Sequence, residues 1–301
     1  MKKIIPALLL ASVLFACKKE TNSGSDGSPS SVAKVPVQFN LQNFLVTQQD
    51  MSDGGRVQTD PSLSGFYKIF YMVFKSDGTA LNYIEQDSTN ANFGIISDSL
   101  LPGTYTAVLG AWNRLGLSNT YIKTNHSSLT SAEFTNLYAR TTGDVFYKKI
   151  QVTVTSGITS LNDVTLSRLD GFLKIDLKDA LPASDPNGAV SVNIGNVPQS
   201  YMINTDLANN NYGLFNMDRT SQTTFEYYIF GSTAPLTLVI NWKDKTTGAP
   251  QTKTISNVIV TANKKTIVTG YLYGVPTNVA GSFVTRTNQS WSSDSTVVSI
   301  N

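Results

Sequence analysis

From Val35 onward the chain is cut into short runs of alternating apolar and polar residues, and the cuts are made of Gly, Pro, Asn and Asp. A period of two sends successive side chains to opposite faces of an extended backbone, so each run reads as a half-buried strand. Over residues 35–46 the side chains of Val35, Val37, Phe39 and Leu41 share one face. Residues 66–74 (FYKIFYMVF) make a dense aromatic and β-branched strand, stopped by Ser76-Asp77-Gly78, with 81–85 as its hairpin partner. Pro102-Gly103 turns the chain into a strand over 104–112, and 146–157 and 158–169 supply two more. The pattern restarts at Gly171, where Leu173, Ile175 and Leu177 alternate opposite Phe172. Further strands are predicted over 190–197, 223–230, 236–242, 253–260 and 265–273, with turns at 185–188 and 209–211. One segment departs from this: Phe134, Leu137 and Tyr138 stand at helical spacing behind cap-like Thr130 and Ser131, which predicts a short helix over 131–138. The fold class is therefore all-β, a sandwich or a barrel.

The length suits two domains, with the boundary between Arg168 and Gly171, giving 34–168 and 169–275, and a Ser/Thr/Asn-rich tail over 276–301 that closes on an alternating run, Thr296 to Ile300. No residue-level repeat relates the halves, although each has about six strands. At the other end, Lys2 and Lys3 precede an apolar run from Ile4 to Phe15 that is too short to cross a hydrocarbon core of roughly 30 Å. Residues 1–16 therefore read as a secretory signal. Leu14-Phe15-Ala16-Cys17 resembles the lipobox of bacterial lipoproteins, which implies cleavage before Cys17 and lipidation of its thiol. Several acyl chains, at about 0.8 kcal/mol per buried CH₂, hold a protein on a membrane without spanning it. Residues 17–33 then read as the lipidated Cys and a flexible tether, because KKETNSGSDGSPSSV has too little apolar surface to repay ordering. Cys17 is the only cysteine, so no disulfide can form within the chain and the core alone must hold the fold.

Charge and residue inventory narrow the function. The chain has 23 Lys+Arg against 21 Asp+Glu, and removing Lys2 and Lys3 with the signal leaves 21 against 21. A neutral mature chain offers no basic face to phosphates, so no nucleic-acid partner is expected. With one histidine, His126, in the polar run Lys123-Thr-Asn-His-Ser-Ser, neither a Ser-His-Asp triad nor a Cys/His zinc site is expected. Asp53, Asp77 and Asp185 sit in turn sequences, where a carboxylate caps its own backbone. No cofactor, metal or catalytic residue is assigned, and the chain reads as a binding protein rather than an enzyme. Trp112, Trp242 and Trp291 could each stack on a sugar ring. Core packing is the commoner role, and Trp291, in a polar segment, is the candidate ligand-binding residue.

Leu101-Pro-Gly-Thr-Tyr-Thr-Ala-Val running into Gly110-Ala-Trp-Asn113, and Val164-Thr-Leu-Ser-Arg168 leading into an alternating strand, give the chain a family likeness. With the lipobox and polar stalk, they resemble the FimB/Mfa2-like fimbrial subunit and anchor proteins of Bacteroidota. The resemblance implies two tandem transthyretin-like β-sandwiches on an outer-membrane lipid anchor exposed at the cell surface. It also implies a role as fimbrial anchor, assembly or adhesion subunit, with a fimbrial or other surface protein as partner, joined by β-strand addition. A carbohydrate-binding surface lipoprotein, with a glycan as partner, is the alternative.

Overall fold

The computed structural model describes residues 32–45, 66–113, 122–136, 144–179, 190–217, 219–231, 234–273, 283–288 and 295–299. Residues 1–31, which hold the segments read as signal and lipidation site and all of the tether but its last two residues, lie outside the described residues, as do the turn expected at 185–188 and Trp291. The strands of the first half are β1 (Val35–Leu45), β2 (Lys68–Lys75), β3 (Ala80–Asp87), β4 (Ile95–Leu100), β5 (Gly103–Asn113), β6 (Ile122–Asn125), β7 (Glu133–Asn136), β8 (Asp144–Val154) and β9 (Ser160–Arg168). One sheet orders them β3-β2-β5-β8-β9-β1-β4. β8 and β9 meet only at Phe146↔Arg168 and Tyr147↔Ser167, so the sheet folds over at that corner into two layers. The layers close on each other. Phe39 of β1 lies against Tyr71 of β2 with ring centroids 5.1 Å apart, and the Tyr71 hydroxyl donates to Asp98 of β4 at 3.1 Å. The outer strands β3 and β4 are tied by Asn82 Nδ2 to Asp98 Oδ1 at 3.1 Å and Gln86 Nε2 to the Ile95 carbonyl at 2.8 Å. The expected alternation fills the space between, with Val35, Val37, Phe39 and Leu41 all buried.

The second half is built from β10 (Asp170–Leu177), β11 (Val190–Gly195), β12 (Val197–Met202), β13 (Leu207–Tyr212), β14 (Phe215–Asn216), β15 (Thr224–Phe230), β16 (Leu236–Lys243), β17 (Pro250–Val258), β18 (Lys265–Gly270), β19 (Phe283–Asn288) and β20 (Ser295–Ser299). Its sheets are β15-β10-β18-β19-β20 and β14-β11-β16-β17, with one apolar cluster between them that includes Ile175, Tyr227, Leu238 and Val268. The pairing repeats that of the first half. β1 lies between antiparallel β4 and parallel β9, as β10 lies between antiparallel β15 and parallel β18. The order β3-β2-β5-β8 likewise matches β14-β11-β16-β17. Duplication that no residue pattern reveals is thus plain in the topology.

Two hairpins stand outside the repeat: β6–β7 in the first half and β12–β13 in the second. They pair with each other into a sheet ordered β13-β12-β7-β6, through Ser200↔Thr135, Tyr201↔Phe134 and Met202↔Glu133. This sheet covers the outer face of β2, β5 and β8, joining Phe134, Tyr201 and Ile203 to Phe70, Met72, Phe74, Val108 and Tyr147. The density of the 66–74 run follows from that cover, since every residue of β2 from Ile69 to Phe74 is buried. Three sequence expectations are corrected here, the first being the turn expected at 209–211, which lies inside strand β13 and pairs with β12 through Pro198↔Asn211 and Ser200↔Asn209. Residues 133–136 are a strand and not a helix, with only the cap-like Ser128–Ala132 stretch forming a turn. The run read as one strand over 190–197 breaks at Asn196, whose φ of 62° ends β11 and sends β12 into the shared sheet. Asn tolerates the left-handed region better than most residues, and so marks the break.

Residues Ala33–Asn301 form one compact unit. Between the halves β9 and β10 are separated by Leu169 alone, and the junction is dense with backbone bonds. Leu169 N donates to the Val145 carbonyl at 2.8 Å, Gly231 N to the Leu169 carbonyl at 2.9 Å, and Asn263 N to the Asp170 carbonyl at 2.7 Å. The Asp170 carboxylate is fully buried and accepts the Val145 amide at 2.5 Å, while the Arg168 guanidinium lies 5.0 Å from the centroid of the Phe146 ring. Gly171 and Gly231 allow the loop at 260–263 to press in. A Cβ on Gly171 would stand 2.4 Å from the Thr261 carbonyl oxygen, and one on Gly231 would stand 2.1 Å from the Ala262 nitrogen.

Candidate functional site

The feature with the most binding potential is a sheet edge. β18 pairs on one side with β10 and on the other with β19, in register from Lys265↔Asn288 to Gly270↔Phe283. β20 then pairs with β19 from Val284↔Ser299 to Asn288↔Ser295 and forms the outer edge. In the first half the seven-stranded plan ends at β9, the counterpart of β18. β19 and β20 are therefore surplus to the repeated sandwich and cover an edge it would otherwise leave open. On the core-facing side of β18, Thr266 and Val268 are fully buried, and the Thr266 hydroxyl donates to the Ile259 carbonyl at 2.8 Å. Beyond β18 the Asp179 carboxylate accepts the amides of Leu272 and Tyr273, fixing the chain where it leaves the sandwich.

Other edges carry the guards that discourage pairing. β17 is long and mostly exposed, but it opens on Pro250, carries Lys253, and has a register shift opposite Leu236 to Leu238. β3 and β4 face each other. β20, Ser-Thr-Val-Val-Ser, carries neither proline nor charge. A strand edge offers a row of N–H and C=O groups, and a strand from another chain can satisfy them.

The other sequence candidates are scattered. Trp112 and Trp242 are core residues, and Trp112 packs on Phe70 at 5.3 Å between ring centroids. His126 follows β6 and stacks on Tyr83 with centroids 4.1 Å apart, its Nδ1 buried without a partner. Ser127, Ser128 and Ser131 beside it are bonded among themselves, at 2.9 Å and 2.8 Å. The Tyr83 hydroxyl donates to Glu85 at 2.7 Å and accepts from Thr124 at 3.1 Å, and Glu85 also pairs with Lys68. Burial pushes the Tyr83 hydroxyl up to about 12. Burial alone would raise Glu85, but the hydrogen bonds from Lys68 and Tyr83 outweigh it and leave the carboxyl below its ordinary range. This is a clamp between β3 and the hairpin β6–β7. Asp77, Asp87 and Asp244 each accept backbone amides two or three residues on, which lowers their pKa values, as expected of turn carboxylates. Among the described residues no group of three or more His, Cys, Asp or Glu could hold a metal ion.

Neither a family model nor a curated relative matches the sequence. Solved structures do. A candidate polysaccharide-binding protein of Bacteroides thetaiotaomicron superposes with a TM-score of 0.53 at 13% identity, covering 89% of this chain and 98% of that one. A candidate adhesin of the same species gives 0.53 at 12% identity, over 92% and 100%. A candidate cell adhesion protein of Bacteroides eggerthii gives 0.53 at 12% identity, over 85% and 95%. The likeness is one of fold. It spans nearly the whole of each neighbour, so the overall all-β fold is shared. At this identity it transfers no ligand.

Proposed function

We propose that this chain is a surface lipoprotein, held to the outer membrane through Cys17, that acts as a fimbrial anchor, assembly or adhesion subunit through β-strand addition. The observation that carries the reading is the surplus hairpin β19–β20 on the edge of β18. Because the sandwich is complete without it, the outer strand β20 can leave β19 and add to the open edge of a partner's sheet, where it makes the same main-chain bonds. Exchange of like for like costs little net hydrogen bonding, and alternate side chains of the incoming strand then decide which partner fits. A lipid anchor supports the same reading, since it suits a base or receptor better than a diffusing catalyst. Fold neighbours described as adhesins are in keeping with it.

Deletion of residues 292–301 in the full chain is the test. The reading expects loss of association with surface partners in native membranes and an unchanged melting temperature. Loss of folding would mean that the tail belongs to its own sheet for stability. Unchanged folding with unchanged partners would end the assembly role in favour of glycan binding, where Trp291 is the residue to substitute.

A further inference from the structure

We infer that the end of the first sandwich where the chain enters is a membrane-contact surface that rests on lipid headgroups. The inference depends on the anchoring through Cys17 proposed above. Nine large apolar side chains are exposed among the described residues, and three of them gather here: Leu101 at 46%, Ile158 at 61% and Leu161 at 68%. Strand register places them together. Val35 at the start of β1 pairs with Leu100 at the end of β4, and Leu101 follows at once. Val37 pairs with Ser160 at the start of β9, next to Leu161, and Gly103 of β5 pairs with Val154 at the end of β8, from which the loop carrying Ile158 departs. Scattered single apolar residues on a surface need no explanation, but three at one end of the sandwich do.

The position of the chain end says what covers them. Only fourteen residues lie between Cys17 and Val32, and at no more than about 3.6 Å for each of the fifteen steps they reach at most about 54 Å. They enter at this end, so this is the part of the fold nearest the lipid. The opposite end of the sandwich, where β8 begins and β9 ends, is taken up by the second half through Leu169 and Asp170. Exposed Lys34 and Lys75 stand at the same end, Lys75 opposite Tyr105 at the start of β5, and suit an anionic surface; Asp77 on the neighbouring turn is the opposing charge. Apolar side chains set among basic ones are the composition of an interfacial contact. A protein partner at this end would have to fit between fold and bilayer.

The test uses the full acylated chain in vesicles of phosphatidylethanolamine and phosphatidylglycerol. With Cys17 acylated, Leu161→Cys and Leu207→Cys each supply one thiol for an environment-sensitive fluorophore. Leu207 is also exposed, in the second half. The expected result is several-fold stronger quenching of the label at 161 than at 207 by headgroup nitroxide lipids, lost when Leu101→Asn and Ile158→Asn are added. Equal quenching at both sites in protein that floats with the vesicles overturns the contact and leaves the anchor standing. A label at 161 shielded from aqueous iodide but untouched by lipid nitroxide also overturns it, in favour of a protein cover. A chain that does not float overturns the anchor and the contact together.

Discussion

Substituting Phe134 by Ala tests the shared sheet where it is most heavily loaded. Phe134 is fully buried, and its ring centroid lies 5.0 Å from that of Phe70, 5.6 Å from Tyr147 and 6.4 Å from Tyr201. Phe70 and Tyr147 belong to the first sandwich, and Tyr201 comes from the second half by way of β12. Removing a buried phenyl ring costs about 3–5 kcal/mol in transfer and cavity terms. Each well-placed ring pair adds about 0.5–1.5 kcal/mol, so the upper part of that range is expected. Against a typical total of about 5–15 kcal/mol, this is a large loss. It also falls unevenly. The cluster around Phe39 and the cluster around Ile240 do not contain Phe134, so both should survive it. We propose that the halves, divided near Arg168–Gly171, are separate domains held as one unit by this cluster. Urea unfolding of Phe134→Ala followed by circular dichroism and by tryptophan fluorescence should then give two transitions where the parent gives one. Ile240→Val, costing about 0.5–1.5 kcal/mol, should shift the parent transition without splitting it. A cost below about 1 kcal/mol for Phe134→Ala would refute the packing argument, since that is an average surface-to-core substitution. A full cost with one transition would refute the domain division.

Gly231→Ala forces a Cβ to 2.1 Å from the Ala262 nitrogen, a backbone atom, and should cost about 1–3 kcal/mol or more by chemical denaturation; Gly157→Ala, with a φ of 72° but nothing within 4 Å, should cost only the strain of about 1 kcal/mol. Cys17→Ser should abolish labelling with a palmitate analogue and release the protein from the membrane fraction, and unchanged labelling would refute the anchor. Burial raises the hydroxyls of Tyr83 and Tyr201 to about 12, and burial with the neighbouring Asp98 and Asp206 carries those of Tyr71 and Tyr147 further. The unfolded chain gives up these protons near pH 10, whereas the folded chain keeps them, so stability should hold up to about pH 9 and fall as pH rises above 10. Tyr71→Phe should flatten that fall in a series of melting temperatures, and an unchanged slope would count against the cause.

What the sequence made legible was the local pattern. Val35 to Leu41 alternates because one face of β1 is core and the other is not, and that is written in neighbouring residues. So is the turn at Asp77. The shared sheet was not legible, because its strands are completed from far away. Glu133–Asn136 lies between β6 of its own hairpin and β12 of the second half, and the helical spacing of the local residues announces neither pairing, so strand pairing overrode it. The break at Asn196 did have a signal: Gly195-Asn196 with Pro198 two residues on interrupts an otherwise uniform apolar run. The alternating run from Thr296 to Ile300 was legible as an edge strand, but not that it and β19 are surplus, since surplus is defined only against the pairing of the first half.

That pairing has a mechanical consequence for an anchored subunit. The chain that enters at β1 is joined in parallel to β9 over Val37↔Ser160 to Leu45↔Ser167, and β9 runs through Leu169 into β10. β10 in turn is joined in parallel to β18 over Phe172↔Lys265 to Leu177↔Gly270. With the anchor and partner proposed above, a pull on β19 and β20 would load β18, β10, β9 and β1 in series, ending at the lipid. Pulling on parallel neighbours from their ends slides one strand along the other, so a whole ladder of hydrogen bonds must fail together rather than one at a time. The junction at 168–171 lies in the middle of this path, where the buried Asp170, the stacked Arg168 and the close approach at Gly171 leave little freedom to bend. Hairpin pairing of β1 with β9, or a flexible linker in place of Leu169, would have let the same load unzip the fold from its edge. The duplicated topology and the rigid junction are therefore what a subunit that carries tension from its far edge to a membrane requires.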